Sequence, residues 1–75
     1  MFSKGENMET FSVRLKDLRE ENNLTLKQLG NEIGVSDIAI SRWENNKRTP
    51  NIDSLLALCK YFQVSADYLL GIEDL

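Results

Sequence analysis

Asp37, Ile38, Ser41, Arg42 and Asn45 stand at i, i+1, i+4, i+5 and i+8, the spacing that sets side chains along one stripe of an α-helix. Their types match the edges of base pairs. A guanidinium donates two hydrogen bonds to guanine O6 and N7, a carboxylate accepts from a cytosine amino group, a hydroxyl does either, and an aliphatic group packs on a thymine methyl. Each residue also has a plainer reading. Arg42 can grip a phosphate or stay solvated, and Asp37 can simply favour the positive end of its helix while repelling misplaced phosphates. Ile38 can be an ordinary scattered surface apolar residue. Ser41 can reach a base edge or a phosphate.

Around this stripe stand Lys27, Gln28, Ser36, Asn45, Lys47 and Arg48, whose donors suit phosphate oxygens. Backbone N–H groups near Asn45 and at the start of the following helix would add to them, because a helix N-terminus presents donors to an anion. Such contacts position a protein on a duplex and carry no sequence information. The chain has no histidine, no metal-ligand cluster, no phosphate-binding glycine loop and no nucleophile beside a base. An enzyme is therefore not expected, and neither is a cofactor or a metal.

The stripe needs a helix held at a fixed angle to a partner, and residues 24 to 46 are built for that. Thr25 with Gln28 is a T-x-x-Q capping box that starts a helix at Leu26. Gly34 ends it, since a left-handed residue costs glycine nothing, and Ser36 caps a second helix. The pair is expected at about 26 to 33 and 37 to 45. Leu26, Leu29 and Ile33 face inward on the first, and Ile40 and Trp43 on the second. Gly30, lying where the two helices approach, trades about 1 kcal/mol of helix propensity for closeness.

In order and in register, several features resemble the lambda repressor and Cro type of helix-turn-helix DNA-binding domain over residues 11 to 71. They are the turn glycine, the small residue four before it, the spaced apolar set, Ser41-Arg42-Trp43-Glu44-Asn45, the basic loop Lys47-Arg48-Thr49-Pro50 and the ending Tyr68-Leu69-Leu70-Gly71. The resemblance implies an all-α domain whose second and third helices form the helix-turn-helix. It also implies an ion pair between Arg19 and Glu44, tying the first helix to the recognition helix. One departure stands out: where the family often opens the unit with a glutamine that holds the DNA backbone, this chain has Leu26, and Lys27 or Gln28 replaces that anchor only in part.

The remainder fits one domain of five helices without strands. Residues 1 to 9 read as a flexible polar tail and residues 10 to 75 as the domain. Thr10 caps the first helix, which runs to about Glu21 or Asn22 with Phe11, Leu15 and Leu18 inward. Asn51 caps a fourth helix from Ile52 to Phe62, on which Cys59 shares helical spacing with Ile52, Leu55, Leu56 and Phe62 and is expected as a buried core thiol. Ser65 caps a short fifth helix that Gly71 stops. No apolar run approaches the ~20 residues of a membrane span and no signal-peptide pattern begins the chain, so a soluble cytoplasmic protein is expected.

The net charge is −3, which counts against a nucleic-acid binder. Its distribution softens the objection: residues 1 to 50 are balanced, whereas residues 51 to 75 hold Lys60 against Asp53, Asp67, Glu73 and Asp74. Expected partners are double-stranded DNA and a second copy of the chain, in a transcription regulator that represses from an inverted repeat. Leu69, Leu70, Ile72 and Leu75 are candidates for the dimer contact, because a short terminal helix has little room to bury all four. The competing reading is an antitoxin-like or anti-repressor module with the same fold and a regulatory protein as its partner. The acidic balance and Leu26 favour it; Arg42, Lys47 and Arg48 oppose it.

Overall fold

The computed structural model describes residues 6–72, with side chains from residue 9 onward, and within them the chain forms five helices and no strand: α1 Glu6–Glu21, α2 Leu26–Ile33, α3 Asp37–Glu44, α4 Ile52–Phe62 and α5 Ala66–Leu70. Four of the starts are set by side-chain caps. Thr25 Oγ1 accepts from Gln28 N at 3.0 Å while Thr25 N donates to Gln28 Oε1 at 2.8 Å, completing the capping box. Ser36, Asn51 and Ser65 accept from Ala39, Ser54 and Tyr68 N–H groups at 3.1, 2.8 and 3.0 Å. Each cap satisfies a donor that the first turn cannot pair internally.

The first helix departs from expectation. It begins at Glu6, inside the segment read as a tail, so Thr10 is a helical residue and not a cap. Nothing between Glu6 and Thr10 breaks a helix, and a capping preference of only about 1 kcal/mol at Thr10 does not stop it from extending upstream. Thr10 meets the far end of the domain instead: a Cβ placed on Gly71, at φ +81°, would lie 2.8 Å from Thr10 Cγ2.

One core serves all five helices. Phe11 and Leu15 from α1, Leu29 from α2, Ile40 and Trp43 from α3, Leu58 from α4 and Leu69 from α5 are buried together, with Leu18, Leu26, Ile33, Leu55, Cys59, Phe62 and Leu70 packed around them. Two polar ties cross it. Ser12 Oγ donates to the Trp43 carbonyl at 2.6 Å. Arg14 Nη1 donates to the Tyr68 carbonyl, with its guanidinium 4.3 Å from the Tyr68 ring centroid.

Two further expectations are corrected here. Leu69 is fully buried in its own core and Leu70 half-buried against it, so Leu69 has no surface to offer a second protomer; Leu75 lies outside the described residues. Ile52 and Leu56 do not share the core with Cys59 but stand 70% and 49% exposed. Leu55, Leu58 and Phe62 take the inward side of α4, and a helix turns only one stripe to its neighbours.

Candidate nucleic-acid interface

α2 and α3 are joined through Gly34, whose φ of +80° is the left-handed conformation that glycine adopts without strain. The N–H groups of Gly34 and Val35 both donate to the Gly30 carbonyl, at 2.8 and 3.0 Å. The turn folds so closely over Gly30 that a Cβ there would sit 2.5 Å from the Val35 carbonyl oxygen. Gly30 is thus required by the turn's own backbone and not by a side chain of the facing helix. This short connection fixes the angle at which α3 leaves the domain.

α3 is divided lengthwise. Ile40 and Trp43 are buried, while Asp37, Ile38, Arg42 and Asn45 are exposed and Ser41 is half-buried. The structure therefore places the stripe outward, with Ile38 61% exposed. Asp37 occupies the first turn of α3 and Arg42 the last, each at the end of the helix dipole that favours its charge. Lys27, Gln28, Ser36, Lys47 and Arg48 are exposed as well. Gln28 and Ser36 spend an oxygen on capping, which leaves the Gln28 amide protons and the Ser36 hydroxyl proton available to an acceptor.

Asn45 differs from expectation. Its side-chain amide donates back to the Ser41 carbonyl at 2.7 Å. The N–H groups of residues 45 to 48 are also turned inward: Asn45 N donates to Ser41 O, Asn46 N to Trp43 O, and Lys47 N and Arg48 N to Arg42 O. These donors close the C-terminal end of α3, whose last carbonyls would otherwise lack partners, and are not held out to an anion. The loop does achieve something sequence spacing could not show. It carries Arg48 and Thr49 to Arg42, and the three line a shallow cleft of about 170 Å³ with Ala39 and Trp43. Thr49, marked in the sequence only as a member of the basic loop and given no role there, lines the cleft with a hydroxyl between a basic residue and Pro50. Lys27 and Lys47 do not line the cleft.

Behind the interface, Arg19 of α1 holds α3 from the inside. Its Nε and Nη2 donate to Glu44 Oε2 and Oε1 at 2.6 and 2.9 Å, a two-pronged pair, and Nη1 donates to the Leu24 carbonyl at 2.8 Å. The side chains are only 12% and 6% exposed, and the hydrogen bond to Glu44 raises Arg19 above its ordinary pKa. The guanidinium is thus a fixed post between α1 and α3. On α4, burial pushes the Cys59 thiol up. Among the described residues no group of side chains could hold a metal ion, and no helix is long and apolar enough to cross a membrane.

The helix-turn-helix family profile matches residues 15–69, from α1 to α5. The chain belongs to the helix-turn-helix family of the lambda repressor and Cro type. Within this helix-turn-helix family it is 45% identical over 65 residues to the transcriptional activator BcrR of Enterococcus faecalis, covering 87% of this chain and 32% of BcrR. It is 41% identical over 64 residues to repressor protein C2 of Salmonella phage P22, covering 85% of this chain and 30% of C2. The crystal structure of the P22 c2 repressor with a synthetic operator superposes with a TM-score of 0.80 at 40% identity, covering 84% of this chain and 96% of that one. The chain spans about a third of BcrR and C2.

Proposed function

We propose that this helix-turn-helix protein is a sequence-specific DNA-binding transcription regulator that lays α3 in the major groove and binds an inverted repeat as a homodimer. The observation that carries the reading is the outward stripe of α3, which belongs to a domain 40% identical to one solved on operator DNA. Ile38 supports direct readout: an exposed isoleucine between Asp37 and Arg42 has no core to fill, and a thymine methyl would cover it. Arg42 reads a guanine, with Asp37 and Ser41 beside it, while Lys27, Gln28, Ser36, Lys47 and Arg48 hold phosphates. Repression follows from occupying an operator; the activator BcrR and the repressor C2 are both relatives, so the sign of regulation depends on where the operator lies relative to the promoter.

Fluorescence anisotropy against genomic fragments flanking its own gene, followed by footprinting, tests the proposal. Arg42→Ala is expected to cost about 1–3 kcal/mol on the preferred site and to flatten the preference at one base pair. Lys47→Ala weakens all sequences alike. Equal losses on operator and random DNA for both variants would remove Arg42 from base reading. Absence of any DNA binding would favour a regulatory protein as partner, as the acidic balance and Leu26 do.

A further inference from the structure

Of the large apolar side chains left at the surface, Ile52 and Leu56 are adjacent, one turn apart on α4, and 70% and 49% exposed. The same outward stripe carries Asp53 and Lys60, three residues before and four after Leu56. Both are exposed, and neither is in an ion pair among the described residues. A helix laid antiparallel across this stripe about a two-fold axis at Leu56 sets Lys60 of each protomer beside the partner's opposite end of the stripe, where Asp53 stands. Leu56 then meets its own copy. The stripe is complementary to itself, which is what an isologous contact requires.

We propose that the Ile52–Leu56 face of α4 is the surface on which a second copy of this chain docks, antiparallel, with Asp53 and Lys60 as reciprocal ion pairs. The proposal gives the homodimer reading above its contact surface and rests on that reading. It moves the contact from the C-terminal residues to α4, which follows the recognition helix directly through the loop of Lys47 and Arg48. The domain measures 34 × 24 × 22 Å. Two copies side by side therefore place their centres roughly one domain width apart, of the same order as the ~34 Å between successive major-groove faces on one side of a duplex. Two aliphatic side chains per protomer cover only a small part of the roughly 1,200–2,000 Å² of a stable interface. The free dimer is accordingly weak, with a Kd on the order of 0.1–1 mM, and is completed when both copies sit on DNA.

Sedimentation equilibrium on the free chain up to 1 mM tests the contact without DNA. Reversible dimerisation is expected, at least tenfold weaker in Leu56→Lys and unchanged in Ile72→Lys. Asp53→Lys and Lys60→Asp should each weaken it severalfold, and the two combined should restore it. That rescue cannot come from lost helix capping, which would add instead of cancel, and thermal unfolding of each variant confirms that the domain still folds. A wild-type chain that stays monomeric at 1 mM, or a dimer indifferent to Leu56→Lys, overturns the proposal, as does failure of the charge swap to rescue. On duplexes selected from random-sequence DNA, Leu56→Lys should lose cooperativity on two half-sites and keep its single-half-site affinity. If the wild-type chain selects no duplex, the DNA reading fails while sedimentation still decides the α4 contact.

Discussion

Gly30 shows how much one absent Cβ can decide. Alanine there gains about 1 kcal/mol of helix propensity, yet its Cβ would press on a backbone carbonyl 2.5 Å away, and backbone cannot swing aside as a side chain can. Gly30→Ala is expected to destabilise the domain by about 1–3 kcal/mol overall, seen as a fall in Tm, and to weaken DNA binding further because the turn sets the angle of α3. A rise in Tm would mean that the turn relaxes at no cost. Cys59 offers a second test at this scale. Burial favours its neutral thiol, so the folded pKa lies above the unfolded one; the associated stability is full below the unfolded value and is lost as pH rises through the folded value. Cys59 should therefore react slowly with iodoacetamide at pH 7. Wild type should also lose more stability than Cys59→Ala between pH 8 and 10; equal slopes would show an unperturbed thiol.

Between elements, the Arg19–Glu44 pair stands where α1 meets α3. Two charges this enclosed cost much of their attraction in desolvation, so the pair fixes orientation more than it adds stability. Arg19→Met or Glu44→Leu alone should each destabilise by about 3 kcal/mol, because each strands a charge, while the double variant should lose less than the sum. Chemical denaturation of the four proteins in the cycle measures this, and additive losses would show that the two side chains act independently. The double variant should also bind DNA less well than its stability predicts, since α3 has lost its post.

For the molecule as a whole, an acidic chain can bind a polyanion only through a small cationic set. With ~3–4 phosphate contacts per protomer, a dimer should show a log–log salt slope near ~−5 to −7. The cations in question are Lys27, Lys47 and Arg48, with Arg42 beside them, all exposed on α2, α3 and the loop that follows. Titrations at several salt concentrations decide it: a slope near zero would transfer the function of this surface to a protein partner. Removing Lys47 and Arg48 together should reduce the magnitude of the slope by about 2 per protomer.

What was legible in the sequence is what neighbouring residues settle among themselves. Thr25 with Gln28, Ser36, Asn51 and Ser65 start helices through contacts three residues long, and Gly34 and Gly71 end them with a left-handed turn, so both α2 and α3 and the outward stripe of α3 follow from local pattern. The Arg19–Glu44 pair, 25 residues apart, was legible only through family resemblance. Tertiary structure alone decided which apolar residues on α4 and α5 face inward. Helical spacing identifies candidates but cannot say which neighbour covers them, and so Leu69 belongs to the core whereas Ile52 and Leu56 do not. It also decided that α1 starts at Glu6, that the N–H groups of residues 45 to 48 turn inward, and that Thr49 and Arg48 reach Arg42. Burial depends on segments that meet only after folding, and no local rule contains that meeting.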